Sequence, residues 1–159
     1  MKTGTTTGTM GSDVPTGARE AALRLQARRA HSAGELSAKL SGRGYSEAEC
    51  ADALDWLAGI GYLDDLAYAR DRAGVQVESG WGRRHILYDL RQRCVGQAII
   101  EQVMDELPEM SEMIASRIAR LMEGQDQSDP KQRRRVAMSL SRRGYSWDEI
   151  ESGLASYWG

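Results

Sequence analysis

Apolar residues in this chain recur at helical spacing and repeat at a fixed interval along the sequence. Six positions of the first copy, Leu40, Gly44, Tyr45, Ser46, Glu49 and Leu54, recur 100 residues later as Leu140, Gly144, Tyr145, Ser146, Glu149 and Leu154. At half that interval stand Leu90, Val95, Ile100, Met104 and Leu107, matching Leu40, Tyr45, Cys50, Leu54 and Leu57. No long segment alternates apolar and polar residues as a strand does. The pattern predicts an all-α protein of three tandem three-helix repeats with a period of 50 residues, stacked into an elongated body.

Start and stop signals divide each repeat into helices. Ser32 with Glu35, and Ser46 with Glu49, have the spacing of capping boxes, and Ser146 with Glu149 repeats it. Asp129 followed by Pro130 is typical of a helix start. Gly44 and Gly144 predict helix ends that need the left-handed backbone conformation. The middle copy has Cys94 and Gly96 at the equivalent positions, so its second turn is expected to be built differently.

The predicted domains follow the repeat boundaries. Residues 1–17 are rich in Thr and Gly, offer no apolar face and are expected to form a disordered tail that can be removed without effect. The repeats then occupy residues 18–63, 64–107 and 108–159, with a first helix from about Ala18 to Arg29. Asp64 and Asp65 are expected to cap the helix Leu66–Val77 rather than to act as catalytic acid and base.

Several function classes find no support in the sequence. Two cysteines and two histidines occur without paired spacing, so neither a disulfide framework nor a metal site is predicted, and free thiols favour a cytoplasmic location. The chain has no phosphate-binding loop and no nucleophile elbow, so no catalytic residue, cofactor or enzymatic activity is predicted. No apolar run is long enough for a membrane span. The tryptophans and tyrosines are expected to pack in the core, which contains no Phe.

Charge separates by helix, although the formal net charge is only −2. The third helix of each repeat is acidic, whereas the second helices become increasingly basic along the chain. Copy one sets Glu35 against Lys39 and Arg43. The basic residues of the later copies are predicted to bind an anionic partner, and they are Arg83, Arg84, Arg91, Arg93, Lys131, Arg133, Arg134, Arg135, Arg142 and Arg143.

Two short helices around a glycine turn also resemble a helix-turn-helix motif. In that motif the second helix enters the major groove and carries donors toward the bases. Here the helix after each turn is acidic, which argues against that mode. Any contact with nucleic acid is therefore expected through the basic second helices and the backbone phosphates, with little sequence specificity.

In this order and with this period, four motifs resemble the RecX family of recombination regulators. They are residues 30–36 (AHSAGEL) with Lys39-Leu40, residues 61–65 (GYLDD) with Tyr68-Ala69, Gly80-Trp81-Gly82 with Ile86 and Leu90, and Arg143-Gly144-Tyr145 with Ile150. The resemblance covers about Arg19 to Trp158. It departs in the central repeat, where His85 stands in place of the family's Arg, and Arg93-Cys94-Val95 in place of its Lys-Gly-Ile.

The resemblance implies a non-catalytic protein that binds the RecA recombinase filament on DNA and inhibits its ATP hydrolysis and strand exchange. It also implies weak, non-specific binding to single- and double-stranded DNA. We further expect a monomer. The alternatives are a stand-alone DNA-binding module that acts without RecA, and a protein scaffold with no nucleic-acid partner.

Overall fold

The computed structural model describes residues 13–159, and within that range the chain is entirely helical apart from turns. The helices are α1 Asp13–Arg28, α2 Ala33–Gly42, α3 Glu47–Gly59, α4 Asp65–Glu78, α5 Arg83–Gln92, α6 Gln97–Asp105, α7 Met110–Met122, α8 Pro130–Arg142 and α9 Trp147–Trp158. The second helix of each repeat ends at Gly42, Gln92 or Arg142, and the third begins at Glu47, Gln97 or Trp147. The predicted all-α repeat with its period of 50 residues is therefore confirmed.

Each repeat buries its own apolar cluster. In repeat 1, Leu36, Leu40 and Leu57 are fully buried between α1, α2 and α3. Equivalent clusters form around Ile86 and Leu90 in repeat 2, and around a set in repeat 3 that includes Ile114, Ile118, Leu140 and Ile150. The chain divides into two compact units, Met1–Asp64 and Asp65–Gly159. Repeat 1 thus stands in the first unit, and repeats 2 and 3 share the second.

Helix α1 begins earlier than the sequence predicts, at Asp13 rather than Ala18. The predicted tail is therefore described only from residue 13, and residues 1–12 lie outside the described residues. The Tyr45 hydroxyl donates a hydrogen bond to the carbonyl oxygen of Gly17 at 3.3 Å. The last residue of the predicted tail is thus a part of repeat 1.

The predicted helix caps at Ser32, Ser46, Asp129 and Ser146 are confirmed, whereas Asp65, predicted to precede its helix, is the first residue of α4. Ser32, Ser46 and Ser146 each accept a hydrogen bond from the backbone N–H three residues on, at 3.1 to 3.2 Å. The glutamate at that later position accepts in turn from the serine backbone N–H. Asp129 caps α8 by accepting from the Lys131 N–H at 2.9 Å. Each cap satisfies backbone donors that a helix leaves unpaired at its start.

The turn of the middle repeat does not differ in its backbone, contrary to prediction. Cys94 adopts a left-handed φ of 55°, where Gly44 and Gly144 have φ of 93° and 89°. Its neighbour Val95 donates to the Leu90 carbonyl at 3.1 Å, as Tyr45 and Tyr145 do at their own turns. The difference lies in the next helix start, because Gly96 has no side chain that could cap α6. Cys94 therefore carries a conformation that costs a side-chain-bearing residue about 1–2 kcal/mol.

The aromatic residues do not all pack in the core. Tyr145 is buried as predicted, but Tyr62, Tyr88 and Trp147 are 61%, 62% and 52% exposed. The prediction of a packing role is wrong for these three side chains.

His31 is buried at the start of α2 in a neutral hydrogen-bonding arrangement. Its Nδ1 lies 2.8 Å from the Arg29 carbonyl oxygen, and its Nε2 lies 2.9 Å from Lys39 Nζ. The carbonyl can accept only from an Nδ1–H, and the ammonium can donate only to an unprotonated Nε2. Burial, together with the charges of Arg29 and Lys39, lowers the pKa of His31 below its ordinary value.

Candidate nucleic-acid and partner interface

The outward faces of α5 and α8 carry exposed cations at equivalent positions. At about 100° per residue, Arg84, Tyr88 and Arg91 lie on the side of α5 opposite the buried Ile86. The matching side of α8, opposite the buried Val136, is also strongly basic. Its exposed members are Lys131, Arg134, Arg135 and Arg142, with exposed Arg133 on the flank. Both helices therefore bury one face in their own repeat and direct positive charge to solvent.

These exposed cations have no acidic partner among the described side chains, residues 17–159. The sequence of α8 contains no acid, and its capping residue Asp129 is directed at a backbone N–H. The single acid of α5, Asp89, is held by Arg72 of α4, whose Nη2 donates to Oδ1 at 2.7 Å. Asp89 also lies 3.9 Å from Arg93. The positive charge of the two outer faces is thus not neutralised by an ion pair among the described side chains.

Three of the ten predicted binding residues make contacts within the chain. Arg83 donates to the carbonyl oxygen of Met104 at 2.6 Å, and Arg93 forms the ion pair with Asp89. Arg143 donates to the Ser79 carbonyl at 2.8 Å, and its guanidinium lies 4.9 Å from the centre of the Trp81 ring. All three side chains are half-buried. These contacts show that the three side chains pack within the chain. Their role in binding a partner stays a prediction.

Repeats 2 and 3 are joined where the turn after α8 packs on the start of α5. The backbone N–H of Gly82 donates to the Arg143 carbonyl oxygen at 2.7 Å, and the backbone N–H of Arg84 donates to the Gly144 carbonyl oxygen at 3.1 Å. The Tyr145 hydroxyl adds a hydrogen bond to Gly80 at 3.0 Å. A Cβ at Gly82 would lie 2.5 Å from the Gly144 carbonyl group, so the approach requires glycine.

This junction brings the basic ends of the two helices together. Arg84 contacts Gly144 through its backbone, and Arg142 lies two residues before that glycine. Both arginine side chains are exposed. The first residues of α5 and the turn that follows α8 therefore meet within the second unit, where backbone hydrogen bonds join segments about 60 residues apart in sequence. Adjoining cations raise the local potential toward a polyanion.

Sequence reasoning missed two arginines of α7 near the same junction. Arg117 and Arg120 line a cavity of about 270 Å³ beside the Ser79–Gly80 turn, together with the carboxylates of Glu78 and Glu112. The Arg117 Nε is buried without a hydrogen-bond partner among the described residues. Burial, with the charges of Arg143 and Arg120, lowers the pKa of Arg117. Only the fold reveals this cluster, since Arg117 lies in α7 and Arg143 in the turn after α8.

The acids of the third helices are engaged partly by the first helices. In repeat 1, Arg19 of α1 donates to Asp52 of α3 at 2.8 and 2.9 Å. In repeat 2, Arg70 of α4 donates to Glu106 at 2.7 and 2.8 Å and lowers the pKa of that carboxyl to about 2. In repeats 1 and 2, one arginine of the first helix thus pairs with one acid in the third helix or directly after it. The second helices keep their positive charge.

Repeat 1 presents a weaker basic face on its second helix. Lys39 is directed to His31, and Glu35 is held by its capping role and by Arg29 at 3.3 Å. Arg43 is exposed at the end of α2. The positions matching Arg84 and Arg134 are occupied by Gly34. The basicity of the second helices was predicted to rise along the repeats. In the structure, the exposed positive charge on these helices is strong only in the second unit.

Sites for other chemistry are few in the described part of the chain. No group of three or more potential metal ligands comes together among residues 13–159. Both cysteines are free thiols, Cys50 buried and Cys94 exposed. A cleft of about 450 Å³ between α7 and α9 is lined by Arg83, Glu109, Asp148 and small side chains. None of the helices over the same range is long and apolar enough to cross a membrane.

Comparison with known proteins assigns the family. The model of the first three-helix domain of RecX matches residues 18–57, and that of the second three-helix domain matches residues 64–104. The regulatory protein RecX of Vibrio parahaemolyticus is 36% identical over 141 residues, covering 86% of this chain and 89% of that protein. Its counterpart from Halorhodospira halophila is 35% identical over 140 residues, covering 87% and 86%.

A solved structure shows the same fold at much lower sequence similarity. The crystal structure of RecX from Lactobacillus salivarius superposes with a TM-score of 0.80 over 92% of this chain and 97% of that chain, at 17% identity. The sequence motifs, the three-helix repeats and the order of the two matching domain models all point to one family. The relatives in that family cover most of this chain. This chain belongs to the RecX family.

Proposed function

We propose that this protein regulates homologous recombination and the DNA-damage response by binding the RecA–DNA filament and inhibiting RecA ATP hydrolysis and strand exchange. Its relatives carry the name regulatory protein RecX. The role is regulatory and non-catalytic, acting in the cytoplasm, where RecA and the chromosome meet, and carried out by a monomer. The observation that carries the proposal is the unpaired basic surface of α5 and α8.

The charge distribution suits a nucleoprotein target. Phosphates of the filament DNA, or acidic residues of the recombinase, can bind the exposed cations Arg84, Arg91, Lys131, Arg134, Arg135 and Arg142. The acidic third helices oppose a close approach to free duplex on other sides of each repeat. A protein that contacts both DNA and its coat can hold the filament in one state and so slow ATP turnover.

The direct test measures RecA ATP hydrolysis on single-stranded DNA during titration with the purified protein. Inhibition at a few-fold excess over filament sites is expected. A variant with Arg134→Ala and Arg135→Ala should inhibit less, whereas Lys39→Ala with Arg43→Ala serves as the matched control and should inhibit like the wild type. Unchanged hydrolysis across the titration would rule out the proposed role.

The exposed cations also support the second candidate, a DNA-binding module that acts without RecA. The two candidate functions are distinguished by measuring the affinity for bare single-stranded DNA, bare duplex and RecA-coated DNA at one salt concentration. A clear preference for coated DNA supports the filament regulator. Equal affinity for bare and coated DNA favours the stand-alone module, and the loss of both kinds of binding leaves only a protein scaffold.

A further inference from the structure

The outer face of α5 presents a tyrosine ring between two arginines. Tyr88 is 62% exposed, and Arg84 and Arg91 lie one helical turn before and after it. At about 100° per residue the three side chains fall within roughly 60° of one another, opposite the buried Ile86. Residues three or four apart on a helix are surface neighbours, with Cβ atoms about 5–6 Å apart. Ring and cations thus form one continuous surface patch, which we call the Tyr88 patch.

No described contact within the chain accounts for the two cations of the Tyr88 patch. Neither Arg84 nor Arg91 makes a side-chain hydrogen bond or ion pair with the side chains that the structure describes, those of residues 17–159. Asp89, the one acid on α5, lies about 100° around the helix from Tyr88 and binds Arg72 and Arg93. An exposed ring between two unneutralised cations combines a surface on which a base can stack with charges that can bind the backbone beside it.

The three repeats themselves show that the fold does not require this patch. The positions equivalent to Arg84, Tyr88 and Arg91 are Gly34, Ala38 and Ser41 in α2, and Arg134, Met138 and Ser141 in α8. The central position is exposed in every copy, with Met138 at 45%. Each repeat therefore folds with a different residue there. Only the middle repeat combines an aromatic ring with a cation on both sides.

We propose that the Tyr88 patch binds single-stranded DNA, with one base stacked on the Tyr88 ring and neighbouring phosphates bound by Arg84 and Arg91. This inference deepens the proposed function, on which it rests, by naming the strand and the mode of contact. Every base has a π-face, so stacking on an aromatic side chain tolerates any sequence. Flanking arginines neutralise the backbone on either side of the stacked base. The exposed Arg142, two residues before the glycine that Arg84 contacts through its backbone, offers a further cation to the same strand.

Single-stranded DNA fits the patch better than duplex DNA does. In a duplex the base faces are stacked on one another and unavailable, whereas in a single strand they can be unstacked and covered by a side chain. A duplex would meet the two arginines but not the ring. The ring must therefore contribute to single-strand affinity alone, while the arginines contribute to both. A protein partner that used the patch would depend on the ring without any DNA.

The test compares DNA binding by variants of the full chain. Fluorescence anisotropy with a labelled oligo-dT strand, and with a duplex of equal length, is measured over a range of salt concentrations. Tyr88→Ala should weaken single-strand binding by about 5- to 150-fold, the range of one lost base–aromatic stack. Tyr88→Phe keeps the π-face and should bind within about twofold of the wild type. The matched control is Tyr62→Ala, since that tyrosine is equally exposed but stands beside acids.

Salt dependence separates the ring from the cations. Tyr88→Ala should lower affinity without changing the slope of log affinity against log salt, because no phosphate contact is lost. Arg84→Ala should reduce that slope by about 0.7 on a single strand. Circular dichroism and thermal unfolding should match the wild type for every variant, as all these positions are exposed.

Three results would overturn the assignment. They are wild-type protein that does not bind oligo-dT, Tyr88→Ala that binds it within twofold of the wild type, and an equal loss on single strand and duplex. Tyr88→Ala that loses RecA inhibition while retaining single-strand affinity would instead assign the patch to a protein partner. The inhibition assay on wild-type protein is independent of these outcomes, so failure of the proposed function is recognised separately.

Discussion

Replacing three consecutive arginines of α8 should weaken binding and reduce its dependence on salt. Arg133, Arg134 and Arg135 are exposed and unpaired among the described residues, and α8 buries Val136 and Leu140 on its other side. Alanine is the best helix former, so the triple Ala variant should keep its helical content and its core. Any change in binding can then be assigned to the lost charges rather than to a lost fold.

The magnitude follows from counterion release. Each phosphate contact contributes about 0.7 to 0.9 to the slope of log affinity against log salt, so three lost contacts lower the slope by roughly 2.1 to 2.7. At about 0.1 M salt, three contacts to a single strand correspond to roughly a 100-fold weaker binding. The three arginines should contribute unequally to this loss of affinity, because they project in different directions around the helix. Arg134 and Arg135 lie at about 160° and 260° from Val136 around the helix, but Arg133 lies at about 60°, on the flank.

The assay measures affinity for RecA-coated and bare single-stranded DNA at four or more salt concentrations. We expect a flattened slope for the triple variant, with Arg133→Ala alone giving the smallest loss of the three single changes. The comparison protein carries Lys39→Ala and Arg43→Ala, whose positions lie on the weaker basic face of repeat 1 and should matter much less. A triple variant that binds like the wild type at every salt concentration would refute the reasoning and leave α8 as a solvated surface.

Three further changes test the fold. Cys94→Gly relieves the left-handed conformation and should raise the free energy of unfolding by about 1 kcal/mol in urea titrations, and an unchanged midpoint would contradict the strain. Gly82→Ala forces a Cβ to 2.5 Å from the Gly144 carbonyl and should cost about 1–3 kcal/mol, whereas Gly96→Ala, which meets nothing within 4 Å, should be nearly neutral by the same measurement. The pKa of His31 is lower in the folded protein than in the unfolded chain, so on acidification the unfolded chain binds this proton at a higher pH. The free energy of unfolding should therefore be highest above about pH 7 and decline as the pH falls below 6.5. In His31→Gln the contribution of His31 to that decline should be absent.

Local signals in the sequence were sufficient for the helix ends that they mark, although not for the start of α1. Ser46 with Glu49, Asp129 with Pro130, and the glycines at the turns act within a single helical turn, so each could be read without knowledge of the fold. The 50-residue period then extended the same plan to the middle copy. The prediction went wrong at Cys94 because the hydrogen bonds of the turn, and not the residue type, hold the left-handed conformation there.

Only the tertiary structure separated the cations that pack from those that face solvent. Arg143 and Arg142 are neighbours of the same type, yet Arg143 binds Ser79, 64 residues away, and covers the ring of Trp81 while Arg142 stays exposed. The same holds for the rings, since Tyr145 is buried against Gly80 and Tyr88 is exposed. The sequence shows which charges each helix carries, because helix formation and the repeat pattern depend on residues that are close together along the chain. Their solvent exposure depends on contacts between distant segments, and those exist only once the repeats have packed.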